Sequence, residues 1–282
     1  MMNSLRFRNR VGKAFAWLGI GVLLVLVIYP QVWILLGSFK TQNEFFANPS
    51  WALPESLNFE NWRIALTEAN LLGMYQNSLA VTLPSLFFIL LFGVAAGYVL
   101  EVMVFRGRKQ ILLFILAGIM IPGQMILVPL FIFYFRVGLT NTLWPLIITY
   151  IVMGIPFCTF LMATYFRSIP RELFEAATVD GVGMLRAFFV IGLPMMRNAI
   201  LTVGMIEFFS VWNDLLIALT FTTRSSLATI QVGLLSFSDE YGSTQYGPLF
   251  AAISINILIV LVVYVFLNRQ IITGLAAGSV KG

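Results

Sequence analysis

The chain has 282 residues, of which 60% are hydrophobic and 10% are charged, and its formal net charge is +5. Soluble domains contain roughly 25% charged residues, so this composition excludes a soluble globular protein and predicts an integral membrane protein. Histidine is absent and Cys158 is the single cysteine, which removes the commonest metal ligand and any intrachain disulfide. Phosphate-loop, zinc-protease and esterase signatures are also absent from the sequence. We therefore expect no catalytic site, no metal site and no cofactor bound by this chain.

Apolar stretches of roughly 20 residues, the length that crosses a bilayer, recur six times along the chain. They predict an all-α integral membrane protein with six transmembrane helices. The predicted spans are 14–37, 77–100, 110–135, 142–166, 196–219 and 246–267. The first span follows a basic segment, as a signal peptide would, but it is too long for one and no cleavage site follows. Prolines inside the third and fourth spans are expected to kink them.

The predicted spans divide the chain into five parts. These are a cytoplasmic N-terminus (1–13), the first span (14–37), an extracytoplasmic loop (38–76), a core domain with the other five spans (77–268) and a cytoplasmic C-terminal tail (269–282). Within the loop, a short surface helix is predicted over Asn61–Glu68. In the second span, Gly93 and Gly97 are four residues apart, a spacing that lets two helices approach closely.

Basic residues are concentrated on one side of the predicted membrane. The two termini and the two loops on their side contain 13 of the 17 Lys and Arg, and the other side contains four. Because cytoplasmic loops carry an excess of Lys and Arg, we expect both termini and the 168–194 loop to be cytoplasmic. The basic residues are scattered at span ends and do not form one face, so no nucleic-acid partner is expected.

The loop from Ser168 to Pro194 carries acids and bases in an ordered pattern between two spans. Helix start signals at its beginning and Gly181 at its end predict a short helix over Arg171–Asp180. Phe174 and Ala177 fall on one face of that helix. The other face carries Glu172, Glu175 and Ala176.

A second short helix is predicted over Met184–Val190, turned away from the first by Gly181 and Gly183. Pro194 is expected to break the chain before the next span. Such a bent, charged element is typical either of an ordinary cytoplasmic loop or of a docking element for another protein.

Two motifs resemble those of a known family. The pattern Glu-Ala-Ala-x-x-Asp-Gly-Val at 175–182, with Ile-x-Leu-Pro at 191–194, resembles the EAA loop of permease subunits of binding-protein-dependent ABC importers. The Trp-Asn-Asp run at 212–214, followed by Ala-Leu-Thr at 218–220, resembles a stretch of sugar-importer permeases. The glycine-rich end at 274–282 resembles the tail of the MalG-like branch, so the chain is similar to the MalG-like carbohydrate permeases.

The resemblance implies a set of partners. In that family the EAA helix sits in a cleft of an ATP-binding subunit and transmits its closure to the membrane helices. The expected partners are a second, MalF-like permease subunit, two ATP-binding subunits that use ATP and Mg, an extracytoplasmic solute-binding protein, a carbohydrate substrate and membrane lipid. The expected location is the bacterial or archaeal cytoplasmic membrane, and the binding protein would contact the outer loops at 40–76 and 222–245. The matching ATPase-coupling positions are Glu175, Ala176, Ala177, Asp180, Gly181, Ile191, Leu193 and Pro194.

Polar residues in the predicted fifth span are candidates for a solute path, since ionisable groups inside a membrane suggest function. Glu207 is expected near the middle of the span, with Ser210 and Asp214 on the same helix face at i+3 and i+7. Asn213 lies beside this stripe, and Gln124 in the third span is a weaker candidate. The alternatives are a polar bond between helices for Glu207 and a position at the water interface for Asp214.

Trp212, next to this stripe, is either a stacking platform for a sugar ring or an interfacial tryptophan. Taken together with these residues, the resemblance implies the non-catalytic membrane subunit of an ATP-driven carbohydrate importer that works by alternating access. Three alternatives stay open: a permease for an amino acid, peptide or polyol, an ion-coupled secondary transporter, and a scaffold that only recruits a partner. The lack of a detectable internal repeat argues against the secondary transporter.

Overall fold

The computed structural model describes the backbone of residues 2–237 and 244–279, and the side chains of residues 13, 16–237 and 244–266. The regular elements in these ranges are helices. In chain order they are α1 (Met2–Gly37), α2 (Gln42–Ala47), α3 (Glu60–Arg63), α4 (Leu71–Glu101), α5 (Arg108–Ala117), α6 (Gly123–Arg136), α7 (Trp144–Arg167), α8 (Arg171–Val179), α9 (Met184–Ala187), α10 (Leu193–Trp212), α11 (Leu216–Phe221), α12 (Ile230–Gly233) and α13 (Tyr246–Ser279).

Short 3-10 and π turns extend several of these helices. A π turn continues α3, a 3-10 turn continues α5, a second π turn joins α9 to α10, and two 3-10 turns flank α12. Their bounds are Ile64–Glu68, Gly118–Met120, Phe188–Gly192, Ser225–Leu227 and Leu234–Phe237. The helix predicted over Asn61–Glu68 is therefore confirmed as α3 with its π turn.

Among the described residues, five helices are long and apolar enough to cross a membrane. They are Ala16–Gly37, Leu71–Glu101, Trp144–Arg167, Met184–Trp212 and Tyr246–Phe266. A sixth span exists if Arg108–Met120 and Gly123–Arg136, which meet at 90°, count as one. The chain is a multi-pass, all-helical membrane protein, and its second span begins six residues earlier than the sequence predicts.

The bend in the third predicted span lies at Ile121 and Pro122. Both residues have extended backbone, with ψ of 116° and 120°. Proline has no N–H for the helical ladder and disfavours helical geometry in the residue before it, so the helix stops and restarts. The predicted kink is present, and it is a full break.

The helices form two compact units, described separately here. The first comprises Met1–Leu71 and Ser236–Ile259, and the second comprises Leu72–Leu235 and Val260–Gly282. The beginning of the last span thus belongs with α1 and the loop that follows it, whereas the sequence places that span wholly in a core domain over 77–268.

In the first unit, the loop after α1 is held by a buried asparagine and a cluster of rings. The Asn61 side chain donates hydrogen bonds of 2.8 Å to the carbonyl oxygens of Ser38 and Lys40. The Phe250 ring lies 5.2 Å from that of Trp33 and 5.3 Å from that of Phe45. Because the buried amide satisfies two turn carbonyls, this segment is an ordered structure and not a solvated loop.

Glu44 stabilises the same loop through a capping box at the start of α2. One carboxylate oxygen accepts from the Thr41 backbone N–H at 2.6 Å and from its hydroxyl at 2.8 Å, and the other accepts from the Glu55 N–H at 2.7 Å. These donors hold the pKa of Glu44 below its ordinary value of 4.5. The Glu55 N–H has the largest effect and the Thr41 N–H the next largest. Hydrogen bonds to a charged carboxylate favour the ionised form.

We therefore expect the loop after α1 to lose protection from hydrogen exchange as the pH falls. The folded pKa is lower than the unfolded one, so the stabilisation is complete above pH 4.5 and is lost as the pH falls through the folded pKa. Hydrogen exchange across residues 41–55, measured from pH 7 to pH 3, tests this. Glu44→Gln should remove most of the pH dependence, whereas Glu55→Gln, which keeps the three bonds to Glu44, should retain it. Equal pH profiles for the wild type and Glu44→Gln would contradict the assignment.

In the second unit, α4 and α7 approach closely at Gly97. A Cβ on this glycine would lie 2.7 Å from the Met162 Cβ and 2.9 Å from the Ala163 backbone nitrogen. These distances are shorter than real Cβ contacts, and the second atom belongs to the backbone and cannot rotate away. The close approach that the small-residue spacing predicts is therefore confirmed.

Candidate functional site

Helix α8, in the segment that resembles the EAA loop, begins and ends where the sequence signals predict. Pro170 precedes its first residue with an extended ψ of 129°. At its other end Gly181 has a φ of +77°, and the Val182 N–H donates to the Ala177 carbonyl at 2.8 Å. Helices commonly end in this way, with a glycine in the left-handed conformation and a hydrogen bond from the following residue to a carbonyl oxygen of the last turn.

The faces of α8 are also as predicted. Phe174 and Ala177 are 6% and 7% exposed and pack into the second unit. The residues on the opposite side are exposed: Glu172, Glu175, Ala176 and Asp180. The helix thus presents carboxylates and a small side chain outward, and this surface is available to another molecule.

The segment after α8 differs from the prediction. Helix α9 does not end before a break at Pro194. It continues through the π turn into α10, and Met184–Trp212 is one long span. The Leu193 N–H donates to the Phe188 carbonyl, five residues earlier. Because Pro194 sits in the first turn after this shift of register, its missing N–H does not end the helix. The predicted second short helix is therefore the first turn of the fifth span.

Tyr98 on α4 connects this loop to the bundle. Its ring centroid lies 5.5 Å from that of Phe166 on α7, 5.8 Å from Phe174 on α8 and 4.9 Å from Phe188 in the π turn. Its hydroxyl donates to the Met184 carbonyl at 2.9 Å. One buried side chain therefore contacts both ends of the loop and two spans. Tyr98 is not among the predicted residues, although a tyrosine within a long apolar stretch was a usable signal.

A cavity of about 230 Å³ lies between α7 and α10 in the second unit. Its walls combine apolar side chains with a few polar groups. The lining residues are Tyr150, Met153, Gly154, Phe157, Ile206, Glu207, Ser210, Val211, Asp214 and Ile217. The cavity therefore brings together three of the five predicted solute-path residues, Glu207, Ser210 and Asp214.

Glu207 is buried in this cavity with an oxygen that has no partner. Its side chain is 4% exposed, and Oε1 forms no hydrogen bond with any described residue. On the α7 side it approaches the backbone at Gly154, where a Cβ would lie 3.1 Å from Oε2. Glu207 lies five residues from the end of α10 and not at mid-span, because the helix stops at Trp212.

Asp214 does not continue the helical stripe. The predicted span to Leu219 is interrupted after Trp212, and α11 starts at Leu216. Asp214 Oδ1 accepts hydrogen bonds from the Ile217 N–H at 2.9 Å, the Ala218 N–H at 3.2 Å and the Tyr150 hydroxyl at 2.8 Å. A carboxylate that satisfies the free N–H groups of a helix start favours a new helix, which explains the break.

The remaining predicted residues lie away from the cavity lining. Asn213 is exposed and donates to the Phe209 carbonyl at 3.0 Å, and Gln124 is exposed in the first turn of α6. Trp212 is 3% exposed and stacks on Phe208 at 5.5 Å and Tyr75 at 6.2 Å. Its ring is therefore buried by the chain's own rings, unlike a sugar platform or an interfacial tryptophan.

Comparison with known proteins agrees with this arrangement. Residues 89–271 match the family described as binding-protein-dependent transport system inner membrane component. The diacetylchitobiose uptake system permease protein NgcG of Streptomyces coelicolor is 36% identical over 91% of this chain and 85% of its own. The sulfoquinovosyl glycerol transport system permease protein SmoH of Agrobacterium fabrum is 31% identical over 96% and 95%.

A solved structure of a bacterial ABC transporter for import of the acidic polysaccharide alginate contains a chain with the same fold. Its TM-score is 0.79 at 21% identity, over 92% of this chain and 96% of that one. This chain therefore has the multi-pass helical fold of that transporter chain. The chain belongs to the family of inner membrane components of binding-protein-dependent transport systems.

Proposed function

We propose that this chain is the transmembrane permease subunit of an ATP-driven, binding-protein-dependent importer for a carbohydrate. The observation that carries the proposal is α8, an exposed acidic helix anchored through Phe174 and Tyr98 to the spans of a permease-family bundle. The carbohydrate class is supported by relatives named for diacetylchitobiose and sulfoquinovosyl glycerol transport.

In this proposal α8 docks on an ATP-binding subunit. Ala176 allows close approach, Ala177 packs α8 against this chain's own spans, Gly181 makes the turn, and Glu175 and Asp180 meet basic groups of the partner. The remaining predicted coupling positions, Ile191, Leu193 and Pro194, lie at and just after the π turn that leads into the span. Closure of the ATPases moves α8, and the packed rings around Tyr98 transmit the movement to the spans.

The assembled importer contains this chain, a MalF-like permease, two ATP-binding subunits and an extracytoplasmic solute-binding protein. ATP and Mg are used by the ATP-binding subunits, and this chain is non-catalytic. The excess of basic residues at the termini and on the α8 side supports a cytoplasmic position for both termini and α8. The binding protein then meets the outer loops at 40–76 and 222–245, of which residues 238–243 lie outside the described part.

Transport proceeds by alternating access. ATP-driven closure opens a central path outward, the binding protein delivers the sugar, and hydrolysis resets the path inward. The cavity between α7 and α10, with Glu207, Ser210 and Asp214, is this subunit's part of that path. Asn213 and Gln124 do not line the cavity and are left out of the proposed path.

Purification of the complex in mild detergent tests this function. We expect a second permease and an ATP-binding subunit to co-elute with this chain, and a carbohydrate with its binding protein to raise ATP hydrolysis several-fold. The control is the same preparation without the binding protein. Co-elution without any solute that stimulates hydrolysis would contradict an importer, and uptake into liposomes driven by an ion gradient alone would indicate a secondary transporter.

A further inference from the structure

The cavity between α7 and α10 has a charge of one sign. Two of its lining residues are carboxylic acids, Glu207 and Asp214, and none is Lys or Arg. The other polar groups are the hydroxyls of Tyr150 and Ser210. A solute that enters therefore meets acceptor oxygens and a negative field at an intermediate dielectric, where charge interactions are stronger than in bulk water.

The carboxylates of Asp214 and Glu207 differ in the hydrogen bonds that their oxygens already make, and so in their capacity to bind a ligand. Asp214 Oδ1 is already bonded to two backbone N–H groups and the Tyr150 hydroxyl, so it is part of the framework. Glu207 is 4% exposed, and its Oε1 has no partner among the described residues. A buried carboxylate without a donor is costly, and a ligand that brings a hydroxyl or an ammonium group removes this cost.

The remaining walls suit a sugar ring. Met153, Phe157 and Ile206 present apolar surface, and a pyranose has apolar C–H faces between its polar edges. The volume of about 230 Å³ equals that of roughly eight water molecules, comparable with one hexose unit. Ser210 and Ile206 are exposed, so the cavity opens at the surface of the unit.

We propose that this cavity is a sugar subsite with a charge filter. It binds an uncharged or amine-bearing sugar unit, with Glu207 accepting a hydrogen bond from a hydroxyl or ammonium group, and its negative field excludes sugar units that carry a carboxylate or sulfonate. The subsite rests on the proposed carbohydrate function. The charge filter is a property of this chain's own side chains and can be measured without transport.

Charge-selective thiol labelling of the purified complex measures this filter. Cys158 is the single cysteine, so Cys158→Ala gives a chain without cysteine, and Ser210→Cys then places one thiol at the cavity. Trimethylammonioethyl and sulfonatoethyl methanethiosulfonate each form a mixed disulfide with this thiolate and release methanesulfinate. Their rates, divided by the rates with free 2-mercaptoethanol, report the local potential. The binding protein is omitted, so that its own selectivity does not contribute.

We expect the cationic reagent to react about tenfold faster than the anionic one after this correction, as for a unit charge within a few ångströms at intermediate dielectric. Glu207→Gln should reduce the ratio at least threefold, whereas Glu207→Asp, which keeps the charge, should preserve most of it. Glu172→Gln on the exposed face of α8 is the matched control and should leave the ratio unchanged. A ratio near one with Glu207 present, or an unchanged ratio in Glu207→Gln, would overturn the filter.

Protection by disaccharides then tests the subsite. Cellobiose, its diamino analogue chitobiose and its acidic analogue cellobiouronic acid share one β-1,4-linked skeleton and differ in charge. Cellobiose or chitobiose at millimolar concentration should slow labelling of Ser210→Cys at least twofold, and cellobiouronic acid should not. If Glu207→Gln abolishes protection by chitobiose but not by cellobiose, the group bound is an ammonium. Protection by cellobiouronic acid, or by none of the three, would overturn the subsite.

The two hypotheses fail in different ways. Loss of solute-stimulated ATP hydrolysis in the unmodified complex rejects the importer function and leaves the labelling ratio untouched. A flat labelling ratio rejects the charge filter, even when the same complex imports a sugar normally.

Discussion

Replacing Gly181 with alanine is expected to lower solute uptake at least fivefold while the complex still assembles in the membrane. Gly181 has a φ of +77°, and a residue with a Cβ pays about 1–2 kcal/mol in this left-handed region. Apart from its chain neighbours, no described residue has an atom within 4 Å of the position that its Cβ would take, so the cost is conformational and local to the end of α8. The last turn of α8 would then reorient or fray, and the surface that docks on the ATPase would change. The measurement is uptake per ATP hydrolysed in reconstituted vesicles.

Gly183 provides the matched control for this prediction. It lies two residues further on, its Cβ position is equally empty, and its φ of −63° suits any residue. Gly183→Ala should therefore keep normal coupling, and Gly181→Asn should retain more coupling than Gly181→Ala because asparagine tolerates left-handed backbone. Normal uptake per ATP in Gly181→Ala, with assembly unchanged, would remove this turn from the coupling mechanism.

The same measurement on Asp180→Ala separates the contribution of charge from that of geometry. The Asp180→Ala variant is also expected to uncouple hydrolysis from uptake.

Composition and local signals were sufficient for the main features of the fold. The apolar stretches predicted the helical membrane class, and Pro170 and Gly181 bounded α8 to within one residue. Its buried face followed from the helical spacing of Phe174 and Ala177. These features depend on short-range physics, namely hydropathy, backbone preference and periodicity, so a single sequence contains enough information to predict them.

The predictions for Pro194 and Asp214 were wrong because interactions beyond the local sequence decide the structure there. Pro194 is a helix breaker by rule, but a π turn directly before it changes the hydrogen-bond register and the helix continues. The spacing of Asp214 predicts that it continues the helical stripe. Instead its carboxylate accepts hydrogen bonds from the first N–H groups of α11 and from the Tyr150 hydroxyl, and a new helix starts there. A pattern of apolar and polar residues predicts neither the π turn before Pro194 nor the hydrogen bonds of Asp214.

The candidate site was predicted in part. Glu207, Ser210 and Asp214 were identified because polar groups in apolar spans are unusual, and they share one cavity despite the break between them. Tyr150 and Tyr98 were missed, since their roles depend on which helices pack together. Asn213 and Gln124 were included because of their polarity alone, and neither of them lines the cavity.

Tyr98→Leu is expected to uncouple ATP hydrolysis from transport more strongly than it lowers stability. The ring of Tyr98 contacts Phe166, Phe174 and Phe188, and such aromatic pairs contribute about 0.5–1.5 kcal/mol each beyond their burial. Leucine fills part of the volume but loses these pairs and the hydrogen bond to the Met184 carbonyl. Helix α8 then moves without carrying α4 with it. We expect uptake per ATP to fall at least fivefold and hydrolysis without solute to rise.

Tyr134 provides a matched control, because it is equally buried in the same unit and its ring pairs and hydrogen bond are with residues outside the 168–194 loop. Its side chain is 2% exposed, packs on Phe221 at 5.4 Å and shares a hydrogen bond of 3.0 Å with the Thr149 hydroxyl. Tyr134→Leu should lower the melting temperature by a similar amount and leave uptake per ATP nearly unchanged. Tyr98→Phe, which loses one hydrogen bond worth about 1 kcal/mol and keeps the ring, should fall between the wild type and Tyr98→Leu. If Tyr98→Leu and Tyr134→Leu reduce uptake per ATP equally, Tyr98 stabilises the bundle but does not transmit the movement of α8.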